Sequence, residues 1–135
     1  MSFLHEKVGH IKDIAYYPKS NYRFVTCGIN DTLSWKLQGN QLTYSILPCV
    51  AENTNNLTQN HNYGYNYAHK SISICIAFLP KSSRVITGCE DGNLLLWGEN
   101  SFQRREHADV VMVLKTTHPN ILLSGSRDGT ILLWI

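Results

Sequence analysis

A chain of 135 residues, 43% hydrophobic and 16% charged, has enough apolar content to fill the core of one ordinary domain and is poor in charge for a solvated helical protein. A formal charge of +2 and a pI near 8.4 are too slight a bias to single out nucleic acid or an anionic membrane as partner. Residues 1–10 hold no apolar stretch of signal-peptide length, and the longest apolar run, residues 74–79, is far too short to span a bilayer. Cys27, Cys49, Cys75 and Cys89 form no Cys-x-x-Cys pair. The expectation is a cytoplasmic, soluble protein with free thiols.

Taken in chain order, the elements repeat. The first unit has His10, an apolar-rich run to Tyr17, Phe24-Val25-Thr26-Cys27-Gly28, then a turn and Leu33-Ser34-Trp35. The second has His69, Ile74-Cys75-Ile76-Ala77-Phe78, Arg84-Val85-Ile86-Thr87-Gly88, the turn Glu90-Asp91-Gly92 and Leu94-Leu95-Leu96-Trp97. The third has His107, Val110-Val111-Met112-Val113-Leu114, Ile121-Leu122-Leu123-Ser124-Gly125, the turn Arg127-Asp128-Gly129 and Ile131-Leu132-Leu133-Trp134. The same order of residue types in three stretches marks a repeat architecture. The runs are short, rich in β-branched residues and bounded by Gly, Pro, Asn or Asp, so they read as strands, with Asp91-Gly92 and Asp128-Gly129 as tight hairpin turns. Residues 74–79 are apolar at every position, which suits a strand covered on both faces and predicts that sheets stack on sheets. Residues 41–47 and 102–105 supply a fourth strand to the first two units.

This order, His, strand, strand closing on Gly, Asp-Gly turn and apolar strand closing on Trp, resembles the WD repeat. The resemblance implies an all-β partial propeller of about three blades, each a four-stranded antiparallel sheet, with units at about 10–47, 69–105 and 107–135 and an insertion at 51–67. It also implies that His69, Thr87, Asp91 and Trp97, and again His107, Ser124, Asp128 and Trp134, form structural hydrogen-bonded sets. Buried indole, imidazole and hydroxyl groups each need a partner, and an acidic acceptor fixes the imidazole tautomer. In the first unit six residues separate Gly28 from Trp35, against eight in the other two, and Asn30-Asp31 lacks a following Gly. This shortened form, with Leu37-Gln38-Gly39-Asn40-Gln41-Leu42 after it, resembles propellers of the echinoderm microtubule-associated protein-like family.

His69, Thr87 and Asp91, or His107, Ser124 and Asp128, also match the residue types of a nucleophilic triad. Their recurrence at matching spacing beside a Trp is what a repeat scaffold predicts, and no Gly-x-Ser-x-Gly elbow accompanies them. His5 and His10 are five apart, one too many for a zinc-protease helix, and no phosphate-binding Gly-x-x-x-x-Gly-Lys loop is present. The expectation is therefore no enzyme, no metal and no cofactor. The stretch 51–67 is rich in Asn and carries Tyr63, Tyr65 and Tyr67; it reads either as a flexible insertion or as a contact loop with tyrosine anchors. Lys70, Arg104, Arg105 and Arg127, with Lys12, read either as a basic face toward acidic tubulin tails or as ordinary solvated charge.

Function is expected to be protein binding by a scaffold, with microtubules as partner and a cytoskeletal location implied by the second resemblance. The alternative is an adaptor in a ciliary or ubiquitin-ligase complex. Closed propellers have about four to eight blades, so the open blade faces are expected to meet remaining blades of a longer protein or a second copy of the chain. The last blade is expected to lack its outer strand, because residue 135 follows directly on the third, unless Phe3-Leu4 or another chain supplies it.

Overall fold

The computed structural model describes residues 8–29, 31–47, 72–98, 102–117 and 120–134; Cys49, the insertion 51–67, His69 and Lys70 lie outside them. Among the described residues all regular structure is β, arranged as three antiparallel sheets. Blade 1 is β1 (Ile11–Tyr16), β2 (Arg23–Gly28), β3 (Leu33–Gln38) and β4 (Gln41–Ile46), hydrogen-bonded in that order. Blade 2 is β5 (Ser73–Phe78), β6 (Val85–Cys89), β7 (Asn93–Leu96) and β8 (Phe102–Arg105). Blade 3 has β9 (Val111–Thr117), β10 (Ile121–Ser126) and β11 (Ile131–Trp134), and no fourth strand among the described residues.

Side chains on a strand alternate between faces, and blade 2 uses both alternations for core. Ile76, Phe78, Val85, Cys89, Leu95 and Trp97 pack with Val25 and Cys27 of blade 1. The intervening Cys75, Ala77, Ile86, Leu94 and Leu96 pack with Val111, Leu114 and Leu122 of blade 3. The apolar run 74–79 thus becomes a strand sandwiched between neighbouring sheets, as its sequence predicts. Each blade turns its Trp-bearing face toward the blade before it in the chain: Trp97 lies against blade 1 and Trp134 against blade 2. Cys27, Cys75 and Cys89 are buried free thiols.

The three blades share one irregularity. An extra residue interrupts the register of the first strand against the second, at Lys12 between Ile11 and Asp13, at Ile74 between Ser73 and Cys75, and at Met112 between Val111 and Val113. A bulge of this kind bends and twists its strand, and the residue after it reaches the next blade. Asp13 Oδ2 accepts the Ile76 amide at 3.0 Å, and the Cys75 thiol donates to the Val111 carbonyl at 3.5 Å. The Thr116 hydroxyl also donates to the Phe78 carbonyl, so backbone groups as well as apolar surface tie adjacent blades.

The outward faces of blades 1 and 3 carry apolar surface that is partly uncovered, although Trp35 within it is buried. On blade 1 the cross-strand neighbours Tyr16, Phe24, Trp35 and Tyr44 form one aromatic row over all four strands, with ring centroids 6.1, 5.8 and 4.9 Å apart. Its rim is open, with Tyr16 65% exposed. The far face of blade 3 presents Val113, Ile131 and Leu133, with Ile131 74% exposed.

The hairpins β6–β7 and β10–β11 use glycine where the backbone turns left-handed, at Gly92 (φ 91°) and Gly129 (φ 93°). At Gly92 a Cβ would also collide with the His107 carbonyl. The preceding aspartates act through their side chains instead. Asp91 Oδ1 accepts the Asn93 amide at 3.1 Å, and Asp128 Oδ1 the Thr130 amide at 2.9 Å, the local bond that favours Asp at turns. The end of the molecule bearing these hairpins is called the Asp-turn end below. The β1–β2 and β5–β6 turns, at Pro18 and Pro80, mark the opposite, Pro-turn end.

Leu95 has no exposed surface and sits where blade 2 meets blade 1. Leu95→Ala is expected to lower stability by about 2–5 kcal/mol, read from urea denaturation midpoints.

Candidate functional site

The third unit contains the fullest polar constellation. His107 and Ser124 are buried, and His107 Nε2 lies 2.8 Å from Ser124 Oγ while Trp134 Nε1 donates to the same oxygen at 3.1 Å. On the other side of the ring, His107 Nδ1 lies 2.9 Å from Thr130 Oγ1, which donates its proton to Asp128 Oδ1 at 2.7 Å. Donor counting fixes the directions. Thr130 has spent its one proton on Asp128, so it accepts from Nδ1–H. With that proton on Nδ1, the neutral ring leaves Nε2 as acceptor for the Ser124 hydroxyl, whose oxygen in turn accepts the indole N–H. Proton donation therefore runs from Trp134 through Ser124 to His107, then through Thr130 to Asp128.

The sequence places Asp128 in this set as the acceptor that fixes the imidazole. It does so at one remove, since Thr130 stands between them. Hydrogen bonds from the Thr130 hydroxyl and amide hold the Asp128 carboxyl below its ordinary pKa, with smaller help from Ser126. Thr130 carries a role that the family pattern does not assign, although its place directly after Asp128-Gly129 makes it the first hydroxyl able to reach the ring.

In the second unit His69 lies outside the described residues, and the described bonds start from the indole. Trp97 Nε1 donates to Thr87 Oγ1 at 3.0 Å, as the repeat predicts, and Ser73 Oγ donates to the same oxygen at 3.3 Å. Ser73 is buried on β5 and was not singled out by sequence, because nothing in its neighbourhood marks it apart from other strand serines. Asp91 caps its turn through Asn93, whose side-chain amide it accepts at 2.8 Å. The first unit retains the innermost bond alone: Trp35 Nε1 donates to Thr26 Oγ1 at 3.0 Å, while His10 lies exposed.

These arrangements do not prepare a nucleophile. Ser124 and Thr87 have no exposed surface, and each hydroxyl oxygen already accepts an indole proton. The buried thiols are similarly quiet. Burial first, then the nearby Asp13 charge, pushes the Cys75 thiol up to about 12 and raises Cys27 further still, which keeps both protonated at neutral pH. Among the described residues no group of three or more His, Cys, Asp or Glu stands close enough to hold a metal ion, and no helix is long and apolar enough to cross a membrane.

The basic residues singled out as partner contacts lie at the Asp-turn end. Arg104 pairs with Glu106 at 2.6 Å, and Arg127 grips Asp109 through Nη2 at 2.9 Å and Nε at 3.3 Å. That fork holds the Asp109 carboxyl below its usual range and raises the Arg127 guanidinium. Arg105 donates to the Ala108 carbonyl at 3.4 Å. Tyr63, Tyr65, Tyr67 and Lys70 fall outside the described residues.

Removing the Ser124 hydroxyl strands two buried donors or acceptors, His107 Nε2 and the Trp134 indole. Ser124→Ala is expected to cost about 1–3 kcal/mol in thermal or urea unfolding. Thr26→Val, which strands the Trp35 indole alone, should cost less.

Comparison with known proteins accords with this geometry. The WD domain, G-beta repeat pattern matches residues 61–98 and 100–134, together more than half of the chain. The β-propeller domain of Myceliophteria thermophila Cps50 (Swd1) superposes with a TM-score of 0.68 at 13% identity, over 93% of this chain and 38% of that one. The computationally designed Ika4 protein superposes with a TM-score of 0.54 at 19% identity, over 98% of this chain and 94% of that one. At such identities these likenesses concern the fold alone, and the chain spans about two fifths of the Cps50 domain. No curated protein matches the chain in sequence. From its repeat pattern and from the Trp-anchored blades that realise it, the chain belongs to the WD domain, G-beta repeat family.

Proposed function

We propose that the chain is a non-catalytic scaffold of the microtubule-associated type, acting in the cytoplasm on the cytoskeleton and docking its partners on blade faces and turns. WD repeats in general mediate protein–protein interaction, and that coarser role rests on family membership. The observation that carries the non-catalytic reading is the fate of the hydroxyls. Ser124 and Thr87, the triad-like nucleophiles of the two repeated sets, are wholly buried and serve tryptophan indoles. A hydroxyl consumed inside a blade braces the sheet and is closed to substrate.

The apolar outer faces of blades 1 and 3 support a role in assembly. Each is half of an interface of the kind that joins blades 1 and 2 and blades 2 and 3, and further blades or a second copy would cover them. The microtubule part of the proposal rests on the resemblance of the shortened first unit, from Val25 through Trp35 to Leu42. An adaptor role in another complex is the competing reading, and it predicts no affinity for tubulin polymers.

Cosedimentation with stabilised microtubules tests the choice. The scaffold of microtubule type is expected to pellet with polymer in a saturable way that weakens with added salt. A chain that stays in the supernatant at all polymer concentrations would leave the adaptor role in its place.

A further inference from the structure

We propose that the Pro-turn end of blades 1 and 2 is a docking surface for an acidic segment of a partner protein, with Lys19, Arg23, Lys36 and Lys81 as the recognising cations. The proposal rests on the scaffold reading above and names the chemistry of one partner surface.

Charge is segregated along the molecule. Every acid among the described residues lies toward the Asp-turn end: Asp31, Glu90, Asp91 and Asp128 on the hairpin turns, Glu106 and Asp109 between β8 and β9, and Asp13 beside the β1 bulge. The Pro-turn end of blades 1 and 2 has the four cations and Arg84, which donates to the Trp97 carbonyl at 3.4 Å, and, among the described residues, no acid. A net charge of +2 conceals this, because the two ends nearly cancel in the sum. A field of one sign over one end steers a partner of opposite sign.

Two local features suit the cations to binding. Arg23 and Lys36 stand directly opposite one another across β2 and β3, a like-charge pairing that a sheet disfavours and that an incoming carboxylate relieves. The Arg23 guanidinium lies 4.0 Å over the Tyr17 ring, and a guanidinium stacked on a ring keeps its in-plane donors for a carboxylate. Around the pair, Ser34, Thr43, Ser45, Tyr22 and Tyr44 line a cleft of about 340 Å³ that offers hydroxyl donors.

Lys19 and Lys81 are the second feature. They occupy equivalent places in the two Pro-initiated turns, Tyr17-Pro18-Lys19-Ser20 and Leu79-Pro80-Lys81-Ser82, each closed by a bond from the serine amide to the first residue's carbonyl. Both lysines adopt the left-handed conformation, with φ of 61° and 57°. Glycine or asparagine is the unstrained choice there, yet lysine stands at both. A strained residue kept at matching positions points to a use for its side chain.

Four cations over two adjacent blades match a short acidic peptide; a nucleic-acid surface typically neutralises more phosphates than this. The test is fluorescence anisotropy of the full chain with a labelled oligoglutamate peptide, in low salt and at about 0.5 M salt, where exposed charges are screened. Lys19→Asn with Lys81→Asn removes two charges while keeping a residue that tolerates the turn, and Arg23→Gln with Lys36→Gln removes the other two. Each pair is expected to weaken binding several-fold, and all four together about tenfold or more. Arg104→Gln with Arg127→Gln at the Asp-turn end should leave binding unchanged, and circular dichroism verifies folding throughout. Three results would overturn the proposal: no binding by the wild-type chain in low salt, binding indifferent to all four substitutions, or a single-stranded oligonucleotide that binds the same residues more tightly than the peptide. Because the peptide assay contains no tubulin, failure to pellet with microtubules counts against the preceding reading alone.

Discussion

Every blade of this protein is apolar on both faces, and that single constraint governs the rest. An ordinary antiparallel sheet packs one face and wets the other; here β5 and β6 alternate core residues toward blade 1 with core residues toward blade 3. A sheet of this kind has no stable form alone and must be stacked. Burial of apolar area at roughly 25 cal/mol per Å² acts across sheets at both blade junctions, and chain connectivity sets the order. The bulge in each first strand adds direction: it places Asp13 and Cys75 where they bond the backbone of the following blade. Stacking is therefore specified by particular hydrogen bonds as well as by apolar contact.

Within that stack the polar sets have a mechanical task. A tryptophan stands in or directly after the third strand of each blade and must bury its ring without abandoning its N–H. In all three blades the nearest hydroxyl of the second strand accepts it, at Thr26, Thr87 and Ser124. Beyond that hydroxyl stand, among the described residues, His107, Thr130 and Asp128 in blade 3 and Ser73 in blade 2. The indole–hydroxyl bond is common to the three blades. That bond explains how groups that resemble a catalytic triad brace a sheet instead. Their protons are ordered in one direction, from the half-buried Trp134 through buried Ser124 and His107 to the exposed Thr130 and Asp128, and the oxygen that would attack a substrate is already occupied.

Much of this architecture was legible in the sequence because it rests on period and punctuation. Strands alternate every second residue, turns need Gly or Asp, and the order of residue types from His to Trp recurs, so the three blades and their antiparallel order could be read directly. Residues 102–105 were placed as the fourth strand of the second unit and form β8 (Phe102–Arg105). What remained hidden involves contacts between residues without a local pattern. Ser73 and Thr130 enter the hydrogen-bonded sets through tertiary placement. The pairing of Arg104 with Glu106 and of Arg127 with Asp109 depends on which turn each faces, and net charge carries no trace of it. The polarity of the molecule from end to end is likewise a property of the folded blades, since acids and bases are interspersed along the chain.

The account gives blade 2 a special standing, because it alone among the three has neighbours on both sides. Native-state amide hydrogen exchange reports such differences as local opening free energies, and it tests the stacking claim most directly. The slowest amides are expected in β5, β6 and β7, with β2 and β3 of blade 1 and β10 and β11 of blade 3 opening earlier from their uncovered faces. Equal protection in all three blades, or earlier exchange in blade 2 than in its neighbours, would contradict the view that two-sided burial of the middle sheet holds the protein together.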